Sequence, residues 1–232
     1  MSTTDGGATP LPAATVVLLR ERGARLEVFM MRRAASMAFA PGMYVFPGGR
    51  LDDADARAEV TGYPVEADAP RASTDAAGMR ALVACAVREV REEADVRLRP
   101  ADLTLLDHWV TPSMASRRFD VRFFASAVPA GQDPVGVGTE MDHTLWIEPL
   151  AALAEFEVDR MRMLRPTTRV LELLAAHDRI ADVVATARTR RIRPKLPVLG
   201  EDPAGDWSIV DHRTGEVLES NVPPPRYWEG MP

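Results

Sequence analysis

The stretch at residues 76–95 constrains the fold of this chain more than any other, because its pattern predicts a helix with one apolar and one acidic face. At about 100° per residue, Glu89, Glu92 and Glu93 fall within roughly 100° of arc. The apolar residues recur on the other side at intervals of four, three and four, namely Val83, Val87, Val90 and Ala94. Such a helix has to bury its stripe against a core while the three carboxylates face the opposite way.

Three carboxylates on one helix face suit a metal site, although the charges alone admit a simpler interpretation. Like charges at i and i+4 repel by roughly 0.2–0.5 kcal/mol. A hard cation that prefers oxygen ligands, such as Mg²⁺, makes the same arrangement of carboxylates favourable. The simpler interpretation is a solvated face on which Arg88 and Arg91 neutralise the glutamates. The metal interpretation gains from Gly48 and Gly49, which directly follow a short predicted strand, because glycine lets a backbone approach a ligand closely.

The remaining pattern predicts an α/β chain of the α+β type, with a mixed sheet between helices. Apolar and β-branched runs predict strands at residues 13–20, 26–32, 43–46, 103–110, 119–127 and 145–147. Further helices are predicted at residues 149–156 and, as one long stretch, at 167–190. Residues 50–75 have little periodicity and predict a surface loop with a short helix. A hairpin is predicted at residues 207–210 and 215–218.

Charge and composition exclude several classes of function. The net charge of −6 argues against nonspecific nucleic-acid binding, which depends on Lys and Arg neutralising phosphates. Cys85 is the single cysteine, so no disulfide forms within the chain, and this fits a reducing compartment. The chain has no apolar run of about 18 residues, so no membrane span is expected. The first nine residues lack the pattern of a signal peptide, which leaves the cytoplasm as the expected location.

With these residues in view, the chain resembles the Nudix hydrolase family, whose signature reads G-x5-E-x7-R-E-U-x-E-E-x-G-U, where U is a bulky aliphatic residue. Gly49 matches the first position, and residues 88–96 match the end block except for its glycine, where Asp95 stands. Aspartate tolerates the left-handed conformation that this glycine would adopt better than most residues do. Asp55 occupies the position of the family's first glutamate, and the sequence does not decide whether it serves in its place.

The spacing inside the signature points to a subgroup. The arginine expected at position 63 stands at position 88, an insertion of 25 residues. This resembles Nudix diphosphatases with an interrupted box, related to the peroxisomal coenzyme A diphosphatases of animals. Matching blocks lie at residues 13–19, 40–51, 109–112, 117–120 and 165–168. The resemblance implies a Nudix domain at 12–195 with an insertion at about 56–80, and the position of this insertion beside the acidic helix suggests the hypothesis that it forms a lid or an interface. A disordered stretch is expected at 1–11 and an extension with a β-hairpin at 196–232.

The resemblance also implies roles for the signature residues. Glu89, Glu92 and Glu93 would bind Mg²⁺ or Mn²⁺ with the Gly48 carbonyl as an extra ligand, and Arg88 would orient the carboxylates. Hydrolysis would proceed by attack of a metal-activated water on a diphosphate, with Glu89 and Glu92 as catalytic residues. The family often places the general base in a later loop, where Glu140 is the candidate here. The alternatives are that Glu140 is an ordinary surface acid or that the nearby loop histidine, His143, is the base.

Arginines are the candidates for phosphate binding, because their planar fork matches phosphate oxygens. Arg117 and Arg118 precede a predicted strand, and Arg33 fits an upstream signature of coenzyme A diphosphatases. That signature is met only in part, since Met31 and Ala38 replace its threonine and second arginine. Surface salt bridges are the alternative role for all three arginines. Two aromatic residues could stack on a base, although core packing is the simpler role for them: Trp109 and Phe119.

The implied function is cleavage of coenzyme A or acyl-coenzyme A into 3′,5′-ADP and a 4′-phosphopantetheine derivative. A Nudix diphosphatase for another nucleotide compound, such as NADH or ADP-ribose, is the first alternative. The second is a catalytically silent, nucleotide-binding Nudix protein, although such proteins usually lose the carboxylates that are present here. The expected partner is a small nucleotide-like substrate, with no nucleic acid or membrane, and the family analogy favours a homodimer.

Overall fold

The fold is built on one long central strand, β1 (Leu11–Arg22), which pairs with a parallel neighbour on one side and antiparallel neighbours on the other. The computed structural model of the chain describes residues 8–37, 40–112, 115, 117–201, 207–211, 214–215 and 217–219. Six further strands complete the main sheet: β2 (Arg25–Arg33), β3 (Tyr44–Val45), β4 (Gly48–Arg50), β5 (Thr104–Val110), β6 (Phe119–Ala127) and β7 (Met141–Ile147). Since only β1 and β6 pair in parallel, the sheet is mixed, as predicted.

The strands β1 and β2 diverge, and the segment of β3 and β4 lies between them. Residues 19–22 of β1 pair with β2, whereas residues 13–15 pair with β4. Because β6 pairs along residues 11–19 of β1, β4 has to lie on the same side of β1 as β2 does. In the same way β7 lies on one side of β2, and β3 pairs with Met31 and Arg32 on the other. The Gly48-Gly49 turn is therefore held within the sheet rather than in a free loop.

Helices cover both faces of the sheet. They are α1 (Val65–Arg71), α2 (Ala76–Ala94), α3 (Pro149–Glu157), α4 (Arg165–Leu174) and α5 (Ile180–Thr189), with 3-10 turns at Asp55–Arg57 and Pro100–Asp102. The side chains of β1 alternate between two cores: Ala14, Val16 and Leu18 pack with α1 and α2. Val17 and Leu19 pack with α3, α4 and α5 on the other face. This period-2 alternation produces the predicted sandwich of helices around a mixed sheet.

The prediction of one helix over residues 167–190 is wrong, because the chain breaks between α4 and α5. Leu174 of α4 and Val183 of α5 are both fully buried against the same face of the sheet. Nine residues separate them, so one continuous helix would turn them about 180° apart. The break at residues 175–179 lets both helices bury their apolar faces on one sheet.

The prediction of a surface loop at residues 50–75 is also wrong for its second half. Tyr63, Val65, Ala69 and Ala72 are buried in the core beneath α2. The side chain of Arg71 donates to the carbonyls of Ala187 and Arg190 at the end of α5, at 2.5 and 3.3 Å, which satisfies free helix carbonyls. The inserted segment is thus part of the packed structure.

A smaller antiparallel sheet follows near the end of the chain, formed by β8 (Pro197–Glu201), β9 (Trp207–Asp211) and β10 (Val217–Glu219). The strands β9 and β10 correspond to the predicted hairpin. Residues 1–7, 212–213 and 220–232 lie outside the described residues, so the predictions that fall on them stay predictions. In the part of the chain that is described, no helix is both long and apolar enough to cross a bilayer.

Candidate active site

Helix α2 has the two faces that its sequence predicts. It begins after Asp75, whose carboxylate accepts a hydrogen bond from the Gly78 amide at 2.7 Å. It ends at Asp95, whose φ of 52° is the left-handed conformation expected at the missing glycine of the signature. Val83, Val90 and Ala94 are fully buried. The opposite face therefore carries the acidic residues towards the edge of the core.

The acidic face of α2 meets the Gly48-Gly49 turn directly. The Gly48 amide donates to Oε2 of Glu93 at 2.8 Å. A Cβ on Gly49 would lie 2.4 Å from Oε1 of Glu89, and one on Gly48 would lie 2.5 Å from the Ala14 carbonyl oxygen. Any side chain at either position would displace a glutamate or the backbone of β1. The close approach of backbone to carboxylate is thus the reason for both glycines.

Arg88 gathers the acidic residues around one guanidinium. Its Nε and Nη2 donate to the two carboxylate oxygens of Asp55, at 3.0 and 2.8 Å. Its Nη1 donates to Glu89 at 2.8 Å and to Glu92 at 3.0 Å, and Nη2 also reaches the Arg50 carbonyl at 3.1 Å. Arg88 therefore contacts all three carboxylates, and the orienting role implied by the family resemblance stays a prediction. The Asp55 side chain is the best buried of its partners.

Burial sets the pKa values of this cluster. Burial pushes the pKa of Asp55 up, but hydrogen bonds from Arg88 and the Asp52 amide together with the charge of Arg88 outweigh it, and the net pKa is lowered. Burial raises the pKa of Glu89 even though Arg88 opposes the rise. Burial also raises the pKa of Glu93 to about 7, despite the hydrogen bond from the Gly48 amide. Two carboxyl groups on the site are thus costly to ionise without a compensating positive charge.

The chemistry of these donors fits a hard divalent cation. Within the residues that the structure describes, no three Asp, Glu, His or Cys side chains converge as they would around a metal ion. The reason is that Glu89 and Glu92 are turned to Arg88 while Glu93 accepts from the Gly48 amide. The donors are nevertheless all oxygens, and a cation would stabilise buried carboxylates that otherwise resist ionisation. The Glu92 side chain is 58% exposed, so it is free to reorient.

The sheet brings two further candidates to the acidic face. Arg33 ends β2, and Glu140 immediately precedes β7, which pairs with β2. The Ala34 amide donates to the Glu140 carbonyl at 2.7 Å. Both side chains act on the pKa of Glu93, which Arg33 lowers and Glu140 raises. The charges of Arg33 and Glu140 thus act on the Glu93 carboxyl, and the backbone contact joins the ends of β2 and β7 that carry them.

The other predicted residues lie further along or in different surroundings. Arg117 is exposed, whereas Arg118 donates to the carbonyls of Thr111 and Ala8, at 3.1 and 3.0 Å. A substrate role for either arginine stays a prediction. His143 lies within β7 rather than in the expected loop, because the strand begins at Met141.

Of the two aromatic candidates for base stacking, Trp109 is excluded by its position. It is 2% exposed in the core on the far side of the sheet from α2, and its indole N–H donates to Asp107 at 2.9 Å. Core packing is therefore its role. Phe119 is half-buried at the start of β6.

Sequence reasoning missed a polar cluster on the α2 side of β5 and β6. Asp120 contacts Nε2 of His108 and Nη1 of Arg122, each at 2.5 Å. Arg122 also donates to the Ala72 carbonyl at the end of α1, at 2.9 Å. Burial lowers the pKa of His108 although Asp120 opposes the change, so burial favours the neutral imidazole. The available signal in the sequence was the presence of Asp120 and Arg122 at alternate positions of an otherwise apolar strand, because polar groups that are buried there need polar partners.

Comparison with known proteins agrees with this architecture. Residues 9–167 match the model of the NUDIX domain family. The crystal structure of a NUDIX hydrolase from Alicyclobacillus acidocaldarius is 24% identical with a TM-score of 0.65, covering 77% of this chain and 97% of that one. No curated protein matches.

Two further solved structures have lower similarity. An Ap4A hydrolase binary complex from C. elegans is 16% identical with a TM-score of 0.46, covering 72% of this chain and 96% of that one. The NUDIX domain of Shewanella oneidensis NrtR complexed with ADP ribose is 14% identical with a TM-score of 0.46, covering 74% of this chain and 90% of that one. The Alicyclobacillus structure shows that the fold is shared.

Proposed function

The chain belongs to the NUDIX domain family and is a pyrophosphohydrolase, and on this premise we propose that it cleaves the diphosphate of coenzyme A or acyl-coenzyme A. The products would be 3′,5′-ADP and a 4′-phosphopantetheine derivative. The observation that carries the proposal is the contact of Arg88 with Asp55, which joins the two halves of the signature across its insertion. An interrupted box that is still assembled is the feature that resembles the coenzyme A subgroup.

The residues that would hold Mg²⁺ or Mn²⁺ are Glu89, Glu92 and Glu93, with the Gly48 carbonyl as the further candidate. A bound divalent cation supplies activation of water and neutralises charge that develops on the leaving phosphate. Arg88 keeps Glu89 and Glu92 on one side of α2, since it donates to both. Because Gly49 has no side chain, its backbone can lie directly beside the Glu89 carboxylate, which leaves room for a ligand at the acidic face.

The remaining steps fall to residues around the acidic face. Glu140 is the proposed general base, because it is exposed and close enough to Glu93 to raise the pKa of that carboxyl. Arg33 is the proposed phosphate ligand, since it lies on the same side and lowers the same pKa. Arg117 and Arg118 are weaker candidates, because the Arg118 side chain already binds two carbonyl oxygens.

A substrate panel tests the proposal. Coenzyme A, acetyl-coenzyme A, NADH and ADP-ribose would be incubated with Mg²⁺ or Mn²⁺, and phosphate-bond cleavage would be followed by separation of the nucleotide products. We expect preferential cleavage of the coenzyme A compounds and no turnover by the Glu92→Gln variant. Equal rates on ADP-ribose would leave the family activity in place but exclude coenzyme A as the preferred substrate.

A further inference from the structure

Two exposed valines lie beside the acidic face of α2 on the segment that leads to Glu140. Val135 is 51% exposed and Val137 is 43% exposed. The amide of Val135 donates to the Ala94 carbonyl at 3.1 Å, and that of Val137 donates to the Glu93 carbonyl at 3.0 Å. This pair, here called the valine ledge, is thus attached by its backbone to the last two residues of α2, one of which is the site residue Glu93.

The residue between the two valines shows which way they face. A Cβ on Gly136 would lie 2.9 Å from Cγ2 of Thr144 in β7. Residue 136 therefore faces the sheet. Because side chains alternate in an extended segment, Val135 and Val137 face away from β7 and towards solvent. Burial in the core is consequently not the reason for two apolar side chains at these positions.

The ledge is held in place by hydrogen bonds that do not involve its side chains. Gln132 accepts from the Arg97 amide at 2.7 Å and donates to the Arg97 carbonyl at 3.1 Å. At the other end of the segment the Ala34 amide donates to the Glu140 carbonyl at 2.7 Å. Since the backbone is fixed at both ends and in the middle, the two valines form a preorganised apolar surface.

We propose that the valine ledge binds the apolar acyl chain at the end of the substrate's pantetheine arm, and so determines specificity. This inference rests on the proposed function. Charged residues adjoin the ledge: the backbone carbonyl of Glu93 accepts from the Val137 amide, and the same segment continues to Glu140, whose carbonyl accepts from the Ala34 amide next to Arg33. A ligand that satisfies both surfaces has a diphosphate joined to an apolar arm. Small-molecule sites combine an apolar lining with a few placed polar groups, and the ledge and the acidic face together have both.

The test replaces both valines with serine and leaves the charged residues unchanged. Val158→Ser is the matched control, because Val158 is 56% exposed at the end of α3 on the opposite face of the sheet. We expect the V135S/V137S variant to raise the KM for octanoyl-coenzyme A about tenfold, and that for free coenzyme A by less. The kcat and the inhibition constant of 3′,5′-ADP, which lacks the arm, are expected to stay at wild-type values.

Each other outcome has a definite meaning. An unchanged KM for octanoyl-coenzyme A, or an equal loss of 3′,5′-ADP affinity, overturns the ledge while leaving the proposed function intact. If the wild-type enzyme cleaves ADP-ribose but no coenzyme A compound, the proposed function fails and the ledge fails with it. Light scattering on the wild type and on the V135S/V137S variant measures the oligomeric state of each. A wild-type dimer that becomes monomeric in the variant assigns the valines to a subunit interface, and this also overturns the inference.

Discussion

The carboxylate of Asp55 accepts two hydrogen bonds from the guanidinium of Arg88, although 33 positions separate the two residues. Asp55 is 3% exposed, so Arg88 is the charge that makes its burial tolerable. This pair connects the start of the insertion to helix α2. It also gives Asp55 a role at the position where the family carries a glutamate.

Asp55→Asn is expected to destabilise the protein, because it leaves the Arg88 guanidinium without its main partner. Breaking a buried ion pair on one side typically costs about 3 kcal/mol. Urea unfolding of the variant measures this cost. The control is Asp53→Asn, since Asp53 is an exposed neighbour of the same type and should change stability by less than about 0.5 kcal/mol. Equal stability of the two variants would remove the structural role of Asp55.

The same ion pair predicts how stability depends on pH. The pKa of Asp55 is lowered in the folded protein, so its ionised form is favoured by folding. Its contribution is therefore present above the unfolded pKa of about 3.9 and is lost as the pH falls through the lower folded value. The difference in unfolding free energy between wild type and Asp55→Asn should shrink only in that acidic window. A constant difference down to pH 2 contradicts this assignment.

Gly49→Ala is expected to lower kcat strongly without unfolding the protein. The added Cβ would lie 2.4 Å from Oε1 of Glu89, so the carboxylate has to move away from its place beside the turn. Removal of such positioning commonly costs about 100-fold in rate. The comparison is Gly23→Ala in the β1–β2 turn, where φ is +64° and no atom lies within 4 Å of the new Cβ. That variant should lose roughly 1 kcal/mol of stability and keep its kcat.

Divalent cations are expected to raise the melting temperature more at pH 8 than at pH 5.5. The pKa of Glu93 is raised to about 7, which means that folding favours its protonated form. Stability from this group is present below the unfolded pKa of about 4.3 and is lost as the pH rises through about 7. A cation offsets that loss by stabilising the ionised carboxylate. Differential scanning fluorimetry with Mg²⁺ or Mn²⁺ measures the shift, and Glu93→Gln should reduce its pH dependence.

Glu140→Gln and His143→Gln together identify the general base. Loss of a general base typically lowers kcat by roughly 10²–10⁴-fold. Glu140 is close to Glu93, whereas His143 lies inside β7 with its ring 6.2 Å from that of Tyr44. We therefore expect the large loss for Glu140→Gln alone, with the KM nearly unchanged. A loss confined to His143→Gln would transfer the role to the histidine.

The inserted segment provides a last prediction. Tyr63 is buried beneath α2, and its hydroxyl donates to Asp68 at 2.6 Å. Tyr63→Ala should therefore cost about 3 kcal/mol in unfolding free energy, as large core truncations do, while the order of preferred substrates stays the same. A changed substrate order with unchanged stability would instead favour the lid that the sequence alone suggested.

The regular elements were the most predictable part of this molecule. The strand at residues 119–127 and the helix from residue 76 lie where expected, because their patterns have a clear period of two and of 3.6. The break between α4 and α5 was missed because the positions of Leu174 and Val183 have to be compared across nine residues. Burial at Ala69 and Ala72 was missed because small residues contribute little to any periodic pattern.

The site was predictable as residue types but not as contacts. The sequence identified Glu89, Glu92, Glu93 and Arg88, since they lie within six consecutive residues of one helix. Whether Asp55 serves was undecidable from its position, because its burial depends on a partner 33 residues away. Nor does the sequence of the helix indicate that the Glu93 carboxylate accepts a hydrogen bond from the Gly48 amide. Contacts across long separations arise only from tertiary packing.

The placement of the Gly48-Gly49 segment inside the sheet has a consequence for how such sites can vary. The turn is held by β1 and helix α2 is held by the core, whereas residues 56–59, 61 and 62 of the connecting peptide are exposed. Loop-closure entropy rises by only about 0.6 kcal/mol for each doubling of the length of a flexible loop. A chain can therefore lengthen at these exposed residues at small thermodynamic cost and keep the same constellation. Fixed-spacing patterns underestimate how many sequences can build this centre.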